Sequence, residues 1–195
     1  VGNLKLYLGA VHMNEYAYFL KAIGTPAVPE TGVLWLMRLL LLVCVVLHIH
    51  AAWALTRMSS AARPVAYRTH EHVKASYASR TMRWGGVILL LFILYHLAHL
   101  TIGWDVAGEA DFIRDDPYHN VVVGFRVWWV SALYIIANLA LGLHLYHGVW
   151  SLFNSLGLNH RRFNAWRRHF ATVFAVLVTA GNVSFPLAVL AGIVR

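Results

Sequence analysis

The sequence predicts an all-α transmembrane helical bundle with four spans, on three observations. The 195 residues are 59% hydrophobic and only 12% charged, the balance of a chain whose solvent is lipid rather than water. Four apolar runs, near 34–56, 84–104, 127–153 and 169–194, each reach the roughly 20 residues that a helix needs to cross a bilayer. The runs lack the apolar–polar alternation of a membrane β-barrel. Backbone groups in lipid must be satisfied within the segment, so the runs are expected to be helical. The whole chain reads as one membrane-anchor domain.

Residues 1–33 precede the first run. Within them, 12–23 (HMNEYAYFLKAI) has the pattern of a short amphipathic helix lying on a membrane surface, stopped by Gly24-Thr25-Pro26. The first span carries the single cysteine, Cys44, which cannot form an internal disulfide and is expected to be a small buried hydrophobe. Connection 57–83 carries Arg57, Arg63, Arg68, Lys74, Arg80 and Arg83 against Glu71 alone. After the second span, connection 105–126 is acidic, with Asp105, Glu109, Asp111, Asp115 and Asp116 against Arg114 and Arg126. Connection 154–168, between the last two spans, carries Arg161, Arg162, Arg167 and Arg168 and no acid.

Basic and acidic connections therefore alternate, as sequential crossings require. The positive-inside rule places 57–83 and 154–168 in the cytoplasm, and 105–126 and residues 1–33 outside. This distribution accounts for the net charge of +8 without nucleic-acid binding. Trp35, Trp84, Trp104, Trp128, Trp129 and Trp166 fall near span ends, as an interfacial aromatic belt predicts. Arg38, just inside the first span, snorkels to the headgroups or meets an anionic or quinone group.

Three of the four spans carry a histidine pair: His48 and His50, His96 and His99, His144 and His147. Polar rings in lipid are costly, so each is a functional candidate, and axial ligation of haem iron is the shared task that suits several helices. A proton relay and simple interhelical hydrogen bonding are the alternatives. Residues two apart point to nearly opposite sides of a helix, so His48 and His50 cannot both face one site. With the first and third spans running inward, His50 and His144 fall at similar depth in the inner half of the membrane. His96, on the outward-running second span, lies slightly outside the middle and belongs to another layer. Ala140 and Gly148 flank His144 one turn either way, and Ala54 follows His50; small residues let a flat ring approach. His50 and His144 are the preferred inner pair, with His48 and His147 as the alternatives, and His99 is the alternative to His96.

Several segments then point to a family. The stretches GNLKLYLG and NEYAYFLKAIGTP (Gly2 to Pro26), HIHAAWALTR (His48 to Arg57), ARPVAYRTHEHVKASYASRTMRWGG (Ala62 to Gly86), YHLAHLTIG (Tyr95 to Gly103) and GLHLYHGVWSLFNSLGLN (Gly142 to Asn159) together resemble the cytochrome b membrane-anchor subunit of succinate:quinone oxidoreductases and fumarate reductases, in the single-subunit, two-haem branch. The resemblance covers most of the chain up to about His169, and SRTMRWGG and HLYHGVWSLFNSLG carry it most specifically.

That resemblance implies haem b ligated by His50, His96 and His144, with His50 and His144 sharing the haem nearer the iron–sulfur protein. It implies a fifth, N-terminal helix bearing a fourth histidine. That helix either precedes Val1 in a longer chain or comes from another polypeptide, which leaves room for a further small membrane subunit. It also implies an iron–sulfur subunit and a flavoprotein subunit docked on the cytoplasmic loops, in the cell membrane of a prokaryote. Succinate chemistry belongs to the flavoprotein, so no catalytic residue is expected here. Menaquinone or ubiquinone is the electron acceptor. Quinone reduction takes up protons, and the candidate contacts are Glu15, Glu30, Arg38, Trp53 and Ser79, together with His70, His72 and Tyr77. A cytochrome b subunit of a hydrogenase or formate dehydrogenase is the nearest rival, and a haem-free histidine relay in a transporter the more distant one.

Overall fold

A computed structural model describes residues 2–62, 77–105, 111–158 and 160–195, with the side chains of 77–80 outside the description. His70, His72 and most of the basic 57–83 connection, and the side chains of Tyr77 and Ser79, thus lie outside the described residues. The described chain is helical, with no strand among the described residues. In order it forms a 3-10 turn (Gly2–Leu8), α1 (Ala10–Ala22), α2 (Gly32–Ala61), α3 (Tyr77–Leu97) with a π-helical turn (Ala98–Ile102), α4 (Pro117–Arg126), α5 (Trp128–Ser155) and α6 (Asn164–Leu190). Four of these helices are long and apolar enough to cross a membrane, the property of a multi-pass membrane protein.

The chain divides into two compact units, Val1–Asn14 with Ala75–Arg195, and Glu15–Lys74. In the first unit α5 packs against α3 on one side and, more extensively, α6 on the other. Both pairs are antiparallel. Gly86 of α3 lies beside His144 of α5, whereas His96 meets Tyr134, so the numbers run in opposite directions. Along α5 and α6, Gly142 faces Thr179 while Asn154 meets Arg167. Small residues permit this close approach: Ala137, Ala171 and Ala175 are buried, and Gly142 leaves no room for a Cβ against the Thr179 hydroxyl.

The larger core side chains gather at the other end of this unit. Leu6, Val122, Phe125, Val130, Tyr134, Ala188, Val189 and Val194 form one cluster, closed by α4. The acidic connection is thus more structured than its composition predicts. Pro117 starts α4 and Asp116 caps it by accepting the His119 N–H at 2.9 Å. The Asn14 amide donates to Asp116 at 2.9 Å and its oxygen accepts the Tyr118 N–H at 3.2 Å. The Tyr118 hydroxyl donates to the Arg195 carbonyl at 2.9 Å, which ties the chain end to α4.

In the second unit the chain leaves α1 through Gly24, at φ +92°, and enters α2 after the Thr31 N–H donates back to the Lys21 carbonyl at 2.7 Å. The helix expected at 12–23 is therefore present as Ala10–Ala22, but its exposed positions mix Val11, Tyr18 and Phe19 with His12 and Glu15, so its amphipathic character is weak. Cys44 is exposed on α2, contrary to the buried position expected; in a spanning helix such a position faces lipid or another polypeptide.

The fourth span is displaced toward the N-terminus relative to the expected 169–194. It starts at Asn164 because arginines near a helix end do not stop it. It ends at Leu190 because Gly192, at φ +70°, turns the chain so that the Ile193 N–H reaches the Ala188 carbonyl at 2.9 Å. The six tryptophans expected at the interfaces are all exposed.

Candidate functional site

The packed pair α3 and α5 carries histidine at two levels. At one, His144 of α5 lies against Gly86 of α3: a Cβ added at Gly86 would sit 3.9 Å from the His144 ring. One turn from His144, Gly148 opens on free space, as does Gly85. The α5 surface one turn from His144 is therefore bare of a side chain at Gly148, as the approach of a flat macrocycle requires, while Gly86 gives the His144 ring room against α3. Gly148 is one of the two small residues that flank His144 in the sequence; the contact of Gly86 with the His144 ring was not anticipated. His147 shares the helix and is likewise half-buried.

At the other level, His96 and His99 converge on one hydroxyl. Tyr134 of α5 is 4% exposed, and its oxygen lies 3.3 Å from His96 Nδ1 and 3.0 Å from His99 Nδ1. The rings of Phe92, Tyr95 and Phe125 meet Tyr134 edge-on, which fixes the phenol. The π-helical turn helps aim His99: the Gly103 N–H reaches five residues back to the Ala98 carbonyl at 3.0 Å. Such turns recur at functional sites.

A cavity of about 480 Å³ opens at this level, lined by His96 and Tyr134 with Phe92, Asn120, Asn138 and Asn182 among others. Its size falls in the roughly 300–1,000 Å³ range of cofactor and ligand sites, and its mix of apolar walls with a few polar groups is typical of them. His99, 6% exposed, does not line the cavity. Tyr134 and Asn138 were missed at the sequence level, although two polar residues four apart within an apolar run share one helix face and were a readable signal. Asn138 is satisfied along its own helix, its amide donating to the Tyr134 carbonyl at 2.8 Å.

Gly86 and His96 are ten residues apart on α3, as are Tyr134 and His144 on α5, and ten residues of helix rise about 15 Å. The assignment of His96 and His144 to different depths therefore agrees with the packing of α3 on α5. His50 and His48 lie on α2 in the other unit, both exposed; the His50 ring approaches Trp53 at 6.2 Å. The guanidinium of Arg57 stacks over Trp53, and that of Arg38 over Trp35, each at 5.0 Å. Glu15, Glu30, Arg38 and Trp53 are exposed side chains of that unit.

The basic 154–168 segment is not uniformly a solvated surface. Arg161, Arg162 and Arg168 are exposed, but Arg167 is 2% exposed. It donates to Asn154 at 3.1 Å and to Asn164, and its guanidinium lies 5.0 Å from the Trp150 ring.

Compared with protein-family models, with curated proteins and with solved structures, the chain matches none.

Proposed function

We propose that this chain is the cytochrome b membrane anchor of a succinate:quinone oxidoreductase in a prokaryotic cell membrane. It docks the iron–sulfur and flavoprotein subunits on its basic, cytoplasmic connections and passes electrons to menaquinone or ubiquinone. The observation that carries this reading is the separation of histidines into two levels about 15 Å apart along α3 and α5, one beside a bare glycine face and one at a cavity. Two such levels suit two haem sites, one per level, whereas a proton relay would call on the close His96–Tyr134–His99 contacts alone.

His50 and His144 are the ligands proposed for the inner haem, and His96 supplies one ligand of the outer haem. Haem b provides one-electron relay chemistry when bound. The protein's part is to present imidazole, exclude water with apolar walls, and keep the surface beside His144 clear at Gly148. Glu15, Glu30, Arg38, Trp53 and Ser79 remain the residues proposed to contact quinone.

The test is purification of the intact complex through a tag on this chain, with haem content by pyridine haemochrome. A b-type spectrum and co-purifying flavoprotein and iron–sulfur subunits are expected. His50→Ala and His144→Ala should each remove the same haem, and the double variant should remove no more. A complex without visible haem or flavoprotein overturns the reading in favour of a histidine relay. A b-type band that survives intact in His144→Ala removes that residue as a ligand.

A further inference from the structure

The sharing of one hydroxyl by two imidazoles has a chemical consequence. A phenol has one proton to donate and can also accept. The buried Tyr134 oxygen lies within reach of Nδ1 of both His96 and His99. If both histidines presented Nδ1–H, the phenol proton would have no partner among them. If neither did, the hydroxyl would satisfy only one of the two rings. A single ordered chain satisfies all three groups: one imidazole donates Nδ1–H to the hydroxyl, and the hydroxyl donates to Nδ1 of the other.

The direction of that chain decides which histidine can bind a metal. The ring that donates from Nδ1 keeps a lone pair on Nε2 and can ligate; the ring that accepts at Nδ1 carries its proton on Nε2 and cannot. One observation selects the direction when a metal is bound at the cavity. His96 lines the cavity and His99 does not. The contacts themselves, 3.3 Å to His96 and 3.0 Å to His99, fit a hydrogen bond in either direction. We propose that Tyr134 is a positioning residue: it holds His96 with Nε2 free for axial ligation at the cavity and pins His99 as a non-ligating partner behind it. The ligand identity and the direction of the hydrogen-bond chain rest on the haem reading above; the ordered sharing of the Tyr134 hydroxyl by the two imidazoles does not.

Partners on the second nitrogen of a ligating histidine fix its tautomer and raise its basicity, and their loss typically costs about 10–100-fold in metal affinity or activity. In the purified complex, Tyr134→Phe should leave the inner haem in place and weaken retention of the outer one by that order. The outer haem that remains should show an altered low-spin electron paramagnetic resonance signal and a higher reduction potential, because its ligand has lost a hydrogen-bond acceptor. A merely packing role for the phenol would move neither, since Phe preserves the ring. His96→Ala should remove the outer haem, and His99→Leu should retain it. Loss of that haem in His99→Leu with retention in His96→Ala overturns the assignment, as does an unchanged signal and potential in Tyr134→Phe. Nitrogen-15 resonances of labelled histidine read the tautomers without reference to haem. His96 protonated on Nδ1 and His99 on Nε2 in a complex lacking haem would sink the cytochrome reading and keep the Tyr134 chain; the reverse tautomers sink the direction proposed for it.

Discussion

Arg167 shows how far a single side chain can depart from what its charge suggests. In the sequence it is one of four arginines between two spans, and arginine there marks the cytoplasmic side of a membrane. In the structure it is buried, forked between Asn154 at the end of α5 and Asn164 in the first turn of α6, over the Trp150 ring. Hydrogen bonds to a charged group are worth about 1.5–3 kcal/mol each, so Arg167→Ala should cost about 2–3 kcal/mol and lower the thermal midpoint of the detergent-solubilised protein. Arg167→Lys should recover little of it, because an ammonium cannot span two amides as a planar fork does. Arg161→Ala and Arg162→Ala, on exposed side chains, should each stay within about 0.5 kcal/mol. The burial was not legible because Asn154 and Trp150 belong to α5, and only the packing of α5 on α6 brings them to Arg167; the Asn164 contact is a local one, three residues back on α6. The same holds for Tyr134: its polarity within an apolar run was visible, but that it meets two histidines of α3 depended on the register of α3 against α5.

The helices themselves were largely legible, because a continuous apolar run in lipid has one economical backbone solution. Their ends were less so. The cap at Gly192 and the π-helical turn before Gly103 depend on local hydrogen bonding that the hydropathy pattern does not encode. Helix α4 was missed because Asp116-Pro117, a good helix start, sits in a segment read only for its charge. The glycines of α5 separate two physical roles that look alike in sequence. Gly142 is a packing glycine, since a Cβ there would strike the Thr179 side chain of α6. Gly142→Ala should therefore destabilise by about 1–3 kcal/mol through overpacking, and adding Thr179→Ala should recover most of that loss by opening the space. Gly148, with nothing near its Cβ position, should behave oppositely: Gly148→Ala should stabilise α5 by up to about 1 kcal/mol through helix propensity. If a macrocycle lies along this face beside His144, the same variant should lower haem content while raising the thermal midpoint of the protein, and those two readouts are separable by haemochrome assay and thermal melts.

Orientation is a property of the whole molecule, and it decides what the basic connections can do. The acidic connection before α5 and the basic one after it are separated by the 28 residues of that helix, about 42 Å of rise, so one membrane crossing divides them. In the orientation proposed from the positive-inside rule, the arginines after α5 lie inside and the carboxylates before it outside. The docking role proposed for the basic surface depends on this, because on that proposal electrons from a soluble partner would arrive at the end of the bundle where His144, rather than His96, is nearer. Single-cysteine labelling tests it directly. With Cys44, the sole native thiol, changed to Ser, an Asp111→Cys variant should react with a membrane-impermeant maleimide on intact cells. A Leu158→Cys variant, at an equally exposed position on the far side of α5, should react only after the membrane is opened. The opposite pattern would invert the bundle, put the arginines outside and the cavity at His96 inside, and overturn the docking role proposed for the basic connections.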